Sequence, residues 1–118
     1  MSSPFVLYHN NRCSKSRAAV ALLEEQGIQA EVVHYLNTPP DLATLTDIFH
    51  KLGLESVRGM MRVKDDLYQE LGLDRADLSN EDLLNAIAAH PALLERPIVV
   101  GNGKAAIGRP LDNIAAIL

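Results

Sequence analysis

Cysteine is nearly absent from this chain: its 118 residues contain one, Cys13. A single thiol excludes an intramolecular disulfide framework. It also excludes a Cys-x-x-Cys redox couple, because Ser16 stands where a resolving cysteine would sit. Basic charge is not in excess either. Eleven Lys and Arg against fifteen Asp and Glu give a formal net charge of −4, so no nucleic-acid partner held through its phosphates is expected. No apolar stretch approaches membrane-spanning length, and the uncharged start Met1-Ser2-Ser3-Pro4 followed by a short apolar run lacks the form of an export signal. No membrane association is expected, and the expected compartment is the reducing cytoplasm, where a free thiol survives. His34, His50 and His90 are scattered without ligand spacing, so no metal site is expected. Repeats, linkers and low-complexity segments are missing as well. With 47% hydrophobic residues, the chain reads as one globular domain over residues 1–118 with a real core.

What is present falls into a clear order. Phe5, Val6, Leu7 and Tyr8 form a short continuous apolar run, as in a buried strand. Residues 16–26 predict a helix with Ala19, Leu22 and Leu23 on one face and Gly27 as its stop. Residues 30–35 are β-branched and predict a second strand, making a right-handed βαβ unit with parallel strands. After Thr38-Pro39-Pro40 the pattern turns helical. It predicts a helix over 41–52, shorter pieces over 55–61 and 65–71, a helix opened by a capping box at Ser79 and Asp82, and one more turn over 91–95. Ile98-Val99-Val100 and residues 104–107 then predict a hairpin around Gly101-Asn102-Gly103, with a final helix over 111–118. This β-α-β, helical block, β-β-α order is the thioredoxin pattern. It predicts an α/β fold with a helical insertion, at about residues 41–95, between the two halves of the sheet.

That order places Cys13 between the first strand and the first helix. The first turn of a helix offers unpaired N–H groups and a positive dipole end, which favour both a thiolate and a bound oxyanion. Arg12, Lys15 and Arg17 add local positive charge. In the same pattern Pro97 occupies the place of a proline, usually cis, that faces the active cysteine. Arg96 therefore enters the space opposite Cys13. Arg62 and Arg109 are two further arginines, and guanidinium groups bind oxyanions through paired N–H donors. A thiolate beside a site for a tetrahedral anion is the chemistry these residues point to.

The chain resembles the glutathione- and glutaredoxin-dependent arsenate reductases of the ArsC type along nearly its whole length. The resemblance is carried by Tyr8-His9-Asn10 with Cys13, Ser16 and Arg17, by His34-Tyr35-Leu36 with Pro39-Pro40, by Val57-Arg58 with Arg62, by Arg96-Pro97-Ile98-Val99-Val100 and by Arg109-Pro110. It is nearest to the short, arsenate-reductase-like branch, which lacks a C-terminal extension. The loop departs from the well-studied reductases at Asn11, where they carry proline. The resemblance implies Cys13 as catalytic nucleophile and His9 and Ser16 as residues that lower its pKa. It also implies Arg62, Arg96 and Arg109 as oxyanion-binding residues, with Arg17 beside them. Arsenate is then the substrate, glutathione a co-substrate and glutaredoxin a protein partner, with no bound cofactor. The lack of a second cysteine agrees with an external resolving thiol. Two alternatives come with the same resemblance: a regulator of the Spx type that binds RNA polymerase, and a glutathione-linked redox protein without arsenate preference. The Spx type usually carries a Cys-x-x-Cys switch, which this chain does not have.

Overall fold

The computed structural model describes residues 5–118. The chain forms two compact units. One comprises the residues up to Thr38 together with Arg96–Leu118, and the other is Pro39–Glu95.

The first unit holds the sheet. Strand β1 is Phe5–His9, helix α1 is Ser14–Glu25 and strand β2 is Ala30–His34. Strands β3 (Ile98–Gly101) and β4 (Lys104–Ile107) and the short helix α5 (Asp112–Ala115) return to the same unit. The strand order is β2-β1-β3-β4. Leu7 of β1 lies opposite Val32 in the parallel β2 and opposite Val99 in the antiparallel β3. Central position and apolar sequence go together. Phe5, Leu7 and Val99 pack with Ala19 and Leu23 of α1, Ala106 of β4 and Ile114 of α5. The β-α-β and β-β-α halves joined in this order are the thioredoxin-like fold, with the helical block between them.

β2 is an edge strand. It ends one residue short of the expected span, at His34, whose carbonyl accepts from the N–H groups of both Asn37 and Thr38 at 2.9 Å. The β3–β4 turn follows from its residues: Asn102 and Gly103 both take positive φ, 54° and 74°, as an Asn-Gly hairpin turn requires. The C-terminal helix is shorter than the expected 111–118. Past Ala116 the bonds tighten to three-residue spacing, Ile117 to Ile114 and Leu118 to Ala115, so the last turn is not α-helical.

The second unit is helical. Helix α2 (Leu42–Leu52) is capped by Asp41, whose Oδ1 accepts from Thr44 N–H at 2.8 Å. A 3-10 turn at Val57–Met60 and helix α3 (Asp66–Glu70) are shorter than their apolar spacing suggests. Helix α4 (Asn80–Ala89) opens with the full Ser79–Asp82 capping box, and a 3-10 turn, Pro91–Leu93, follows it. α2 packs on α4, burying Leu45, Ile48, Leu83 and Ile87. Among the described residues no helix is long and apolar enough to cross a membrane.

Candidate active site

α1 starts two residues earlier than its apolar pattern indicates. Arg17 N–H donates to the Cys13 carbonyl at 3.1 Å, which makes Cys13 itself the N-cap, in extended conformation at φ −96° and ψ 123°. The sulfur therefore sits at the helix mouth. The loop before it is held by Asn10. The Asn10 carbonyl accepts from Cys13 N–H at 3.0 Å, its side-chain Oδ1 accepts from Arg12 N–H at 3.0 Å, and its own N–H donates to Ser16 Oγ at 3.4 Å. The loop is also clamped from outside, where Arg17 Nη1 donates to the Asn11 carbonyl at 3.0 Å.

Cys13 is partly exposed, and its pKa lies below that of an ordinary thiol. Burial pushes it up and is the largest single effect. It is outweighed by the N–H groups of Ser16 and Lys15, the charge of Arg109 and the Ser16 hydroxyl, which all favour the thiolate. The thiol closes no short capping bond of its own; the sulfur is stabilised by the field of the open helix end. The sequence places Arg12, Lys15 and Arg17 nearest, yet the side-chain charge acting on the sulfur is Arg109, 96 positions away, with Nη2 at 3.7 Å from Sγ.

Arg109 is aimed by its other donor. Its Nε donates to the carbonyl of Arg96 at 2.7 Å. The Arg96–Pro97 peptide is cis, as the fold pattern predicts, and Arg109–Pro110 is a second cis peptide. Gly108 makes this approach feasible. Its N–H donates to the Pro97 carbonyl at 2.8 Å, and a Cβ there would meet Ile114 Cδ1 at 2.6 Å and Pro97 Cγ at 2.8 Å. A side chain at position 108 would push the end of β4 away from Pro97 and carry Arg109 with it. The Arg96 side chain is shielded from solvent at Nε.

The other expected residues fall as follows. Ser16 is fully buried, with Oγ at the Asn10 N–H and its hydroxyl acting on the Cys13 sulfur. His9 ends β1 and is 7% exposed, its ring edge-on to His34 at 5.5 Å. Burial first, then His34 and Arg17, hold its pKa below the usual histidine value, so it stays neutral near pH 7. It is not among the groups that set the ionisation of Cys13. Arg17 is an exposed loop clamp. Arg62 belongs to the helical unit. Its Nε and Nη2 donate to the Asp65 carboxylate at 2.6 and 3.1 Å, with Glu95 at 3.9 Å from Nη1. Arg58 is structural there, donating to Tyr68 Oη and to the carbonyls of Leu73 and Arg75. Among the described residues no cluster of His, Cys, Asp or Glu could hold a metal ion.

Two residues escaped the sequence reading of the site. Gly108 had a signal, a glycine just before an Arg-Pro pair and outside any turn motif. Asn10 had one too, an Asx residue three positions ahead of a helix cap.

A lone cysteine capping the first helix of a thioredoxin-like sheet, biased toward thiolate and facing an arginine, defines the class: a thiol-dependent oxidoreductase. The relatives narrow this. The ArsC family model matches residues 8–117. An arsenate reductase of Neisseria meningitidis serogroup A is 73% identical over 112 residues, covering 95% of this chain and 96% of that one. An arsenate reductase of Haemophilus influenzae is 50% identical over 113 residues, covering 96% and 97% of the two chains. The structure of an arsenate reductase from Vibrio cholerae matches all of both chains with a TM-score of 0.95 at 49% identity. The chain belongs to the ArsC family.

Proposed function

We propose that this protein is an arsenate reductase acting through Cys13. The observation that carries the proposal is the sulfur's position at the open end of α1, with Arg109 Nη2 at 3.7 Å. A nucleophile and a cationic anion ligand thus occupy one place. The thiolate attacks the arsenic of arsenate and an oxygen leaves as water. The helix N–H groups and Arg109 stabilise negative charge on the remaining oxygens as the bond forms. Arg96 and Arg62 are proposed as further oxyanion ligands, with Arg17 supporting the loop. Ser16 and His9 serve the nucleophile, Ser16 through its hydroxyl and His9 as a neutral neighbour of the loop.

Cys13 has no intramolecular partner thiol, so an external one must take up the arsenic adduct. Glutathione is proposed for that step. Glutaredoxin is proposed as the reductant that resolves it and releases arsenite, with no bound cofactor. A reducing cytoplasm suits such a cycle, and detoxification of arsenic is its purpose. The high identity to arsenate reductases favours this reading over a polymerase-binding regulator or a redox protein indifferent to arsenate.

The test is a coupled assay with arsenate, glutathione, glutaredoxin and NADPH-driven glutathione reduction. Arsenate-dependent oxidation by the wild-type protein and its loss in Cys13→Ser are expected. No arsenate-dependent turnover with any of several thiol donors would remove the proposal.

A further inference from the structure

We propose that Asn10 is a positioning residue for the nucleophile: its side chain folds the loop so that its backbone N–H holds the Ser16 hydroxyl in the orientation from which that hydroxyl serves Cys13. The proposal rests on Cys13 being the nucleophile. It concerns a residue that touches neither the sulfur nor the proposed substrate through its own side chain.

The argument follows the bonds. Asn10 Oδ1 accepts from Arg12 N–H at 3.0 Å, which is an Asx turn. The Asn10 carbonyl accepts from Cys13 N–H at 3.0 Å, closing a four-residue turn over the same backbone. Together these bonds fix the peptide planes on both sides of residue 11, and so set where the first turn of α1 stands relative to the Asn10 N–H. That N–H points at Ser16 Oγ, 3.4 Å away and six positions along the chain.

Ser16 is fully buried in the first turn of α1, so its hydroxyl has few partners to choose from. A serine oxygen that accepts a hydrogen bond has one lone pair engaged and its proton left to donate elsewhere. Accepting also polarises the O–H and strengthens it as a donor. The nearby acceptor is the Cys13 sulfur, on which the Ser16 hydroxyl acts to favour the thiolate. With the Asn10 N–H displaced, the hydroxyl would be free to rotate toward the Cys13 carbonyl three positions back, the bond serines make to preceding backbone. Asn10 thus acts through Ser16, and the chain of contacts runs Arg12 N–H, Asn10 side chain, Asn10 N–H, Ser16 hydroxyl, Cys13 sulfur.

The experiment uses the full chain and needs no arsenate, so it can succeed or fail independently of the arsenate reading. Cys13 is the only cysteine, and its rate of alkylation by iodoacetamide across pH reports its ionisation directly. In Asn10→Ala the alkylation midpoint should move up and the rate at pH 7 fall about fivefold, somewhat less than the tenfold that one pKa unit represents. Asn10→Ser, whose oxygen can accept from the N–H two residues on, should restore most of the rate. In a Ser16→Ala background, Asn10→Ala should change the rate less than about twofold, because the two act in series. If Asn10→Ala does not fold, Asn10→Gly removes the same acceptor and carries the same expectation. A wild-type alkylation midpoint in the folded variant would overturn the proposal, even if its melting temperature falls. An undiminished effect of Asn10→Ala without the Ser16 hydroxyl would overturn it equally.

Discussion

Arg109 in the sheet unit and Arg62 in the helical unit are the same residue type, and the fold uses them differently. Arg109 donates one arm to a carbonyl, Arg96 O, and points another at the Cys13 sulfur. A carbonyl orients a guanidinium without cancelling its charge, so the positive field reaches the nucleophile. Arg62 is in a two-armed pair with Asp65, and Glu95 stands at 3.9 Å. There the carboxylates hold the guanidinium and also compensate it. One arginine tunes a reactive atom, and the other is a cation held and compensated by carboxylates. Charge count alone does not distinguish them; the chemistry of the orienting acceptor does.

The sharpest way to break this comparison is Arg109→Ala. Arsenate turnover should fall by about 10²–10³, the usual cost of removing one charge-stabilising donor. The alkylation midpoint of Cys13 should rise in the same variant. A loss of turnover with an unmoved midpoint would show that Arg109 does not act on the sulfur. Arg62→Ala should instead raise KM for arsenate by about tenfold, the scale of one charge-assisted hydrogen bond, and leave alkylation at pH 7 within about twofold of wild type. Equal effects of the two substitutions on alkylation would erase the distinction.

Ser79→Ala tests the helical unit by itself. Loss of the capping box at the start of α4 should lower stability by about 1 kcal/mol, read by urea unfolding, without moving the alkylation midpoint. A moved midpoint would tie the cap to the nucleophile.

The smallest expected effect belongs to His9. Its folded pKa is depressed by burial, then by His34 and Arg17, so as pH falls the unfolded chain takes up the proton first. Stability is therefore complete above the unfolded value of about 6.5 and declines as pH drops below it toward the folded value. His9→Gln should flatten that decline between pH 7 and 5. A decline identical to wild type would place the acid sensitivity elsewhere.

Much of the sheet unit was legible in the chain because its signals are local. The apolar run at β1 and the Asn-Gly turn each need only a few neighbouring residues to take effect, as does the capping box of the helical unit. The start of α1 was misplaced by two residues because its first turn, Ser14-Lys15-Ser16, is polar. The hydrogen bond from Arg17 N–H to the Cys13 carbonyl marks it as helix. The C-terminal helix was overestimated because its apolar residues pack while the backbone changes to three-residue bonding. In the site, the cysteine and its arginines were readable as residue types. The helix-end N–H groups acting on the sulfur followed from its place before α1, but the side-chain cation that reaches it did not, because the adjacent charges Arg12, Lys15 and Arg17 stood closer in the chain.

The amino-acid sequence by itself determined that a lone thiol lies between a strand and a helix, that no second cysteine can resolve it, and that arginines surround it in number. Those are matters of composition and short-range order. Only the tertiary structure decided which of the cations meets the sulfur. Pairing β3 and β4 beside β1, with Gly108 slim enough to pass Pro97, carries Arg109 across 96 positions to 3.7 Å from Cys13. Electrostatic influence falls with distance through space, and separation along the chain does not measure it.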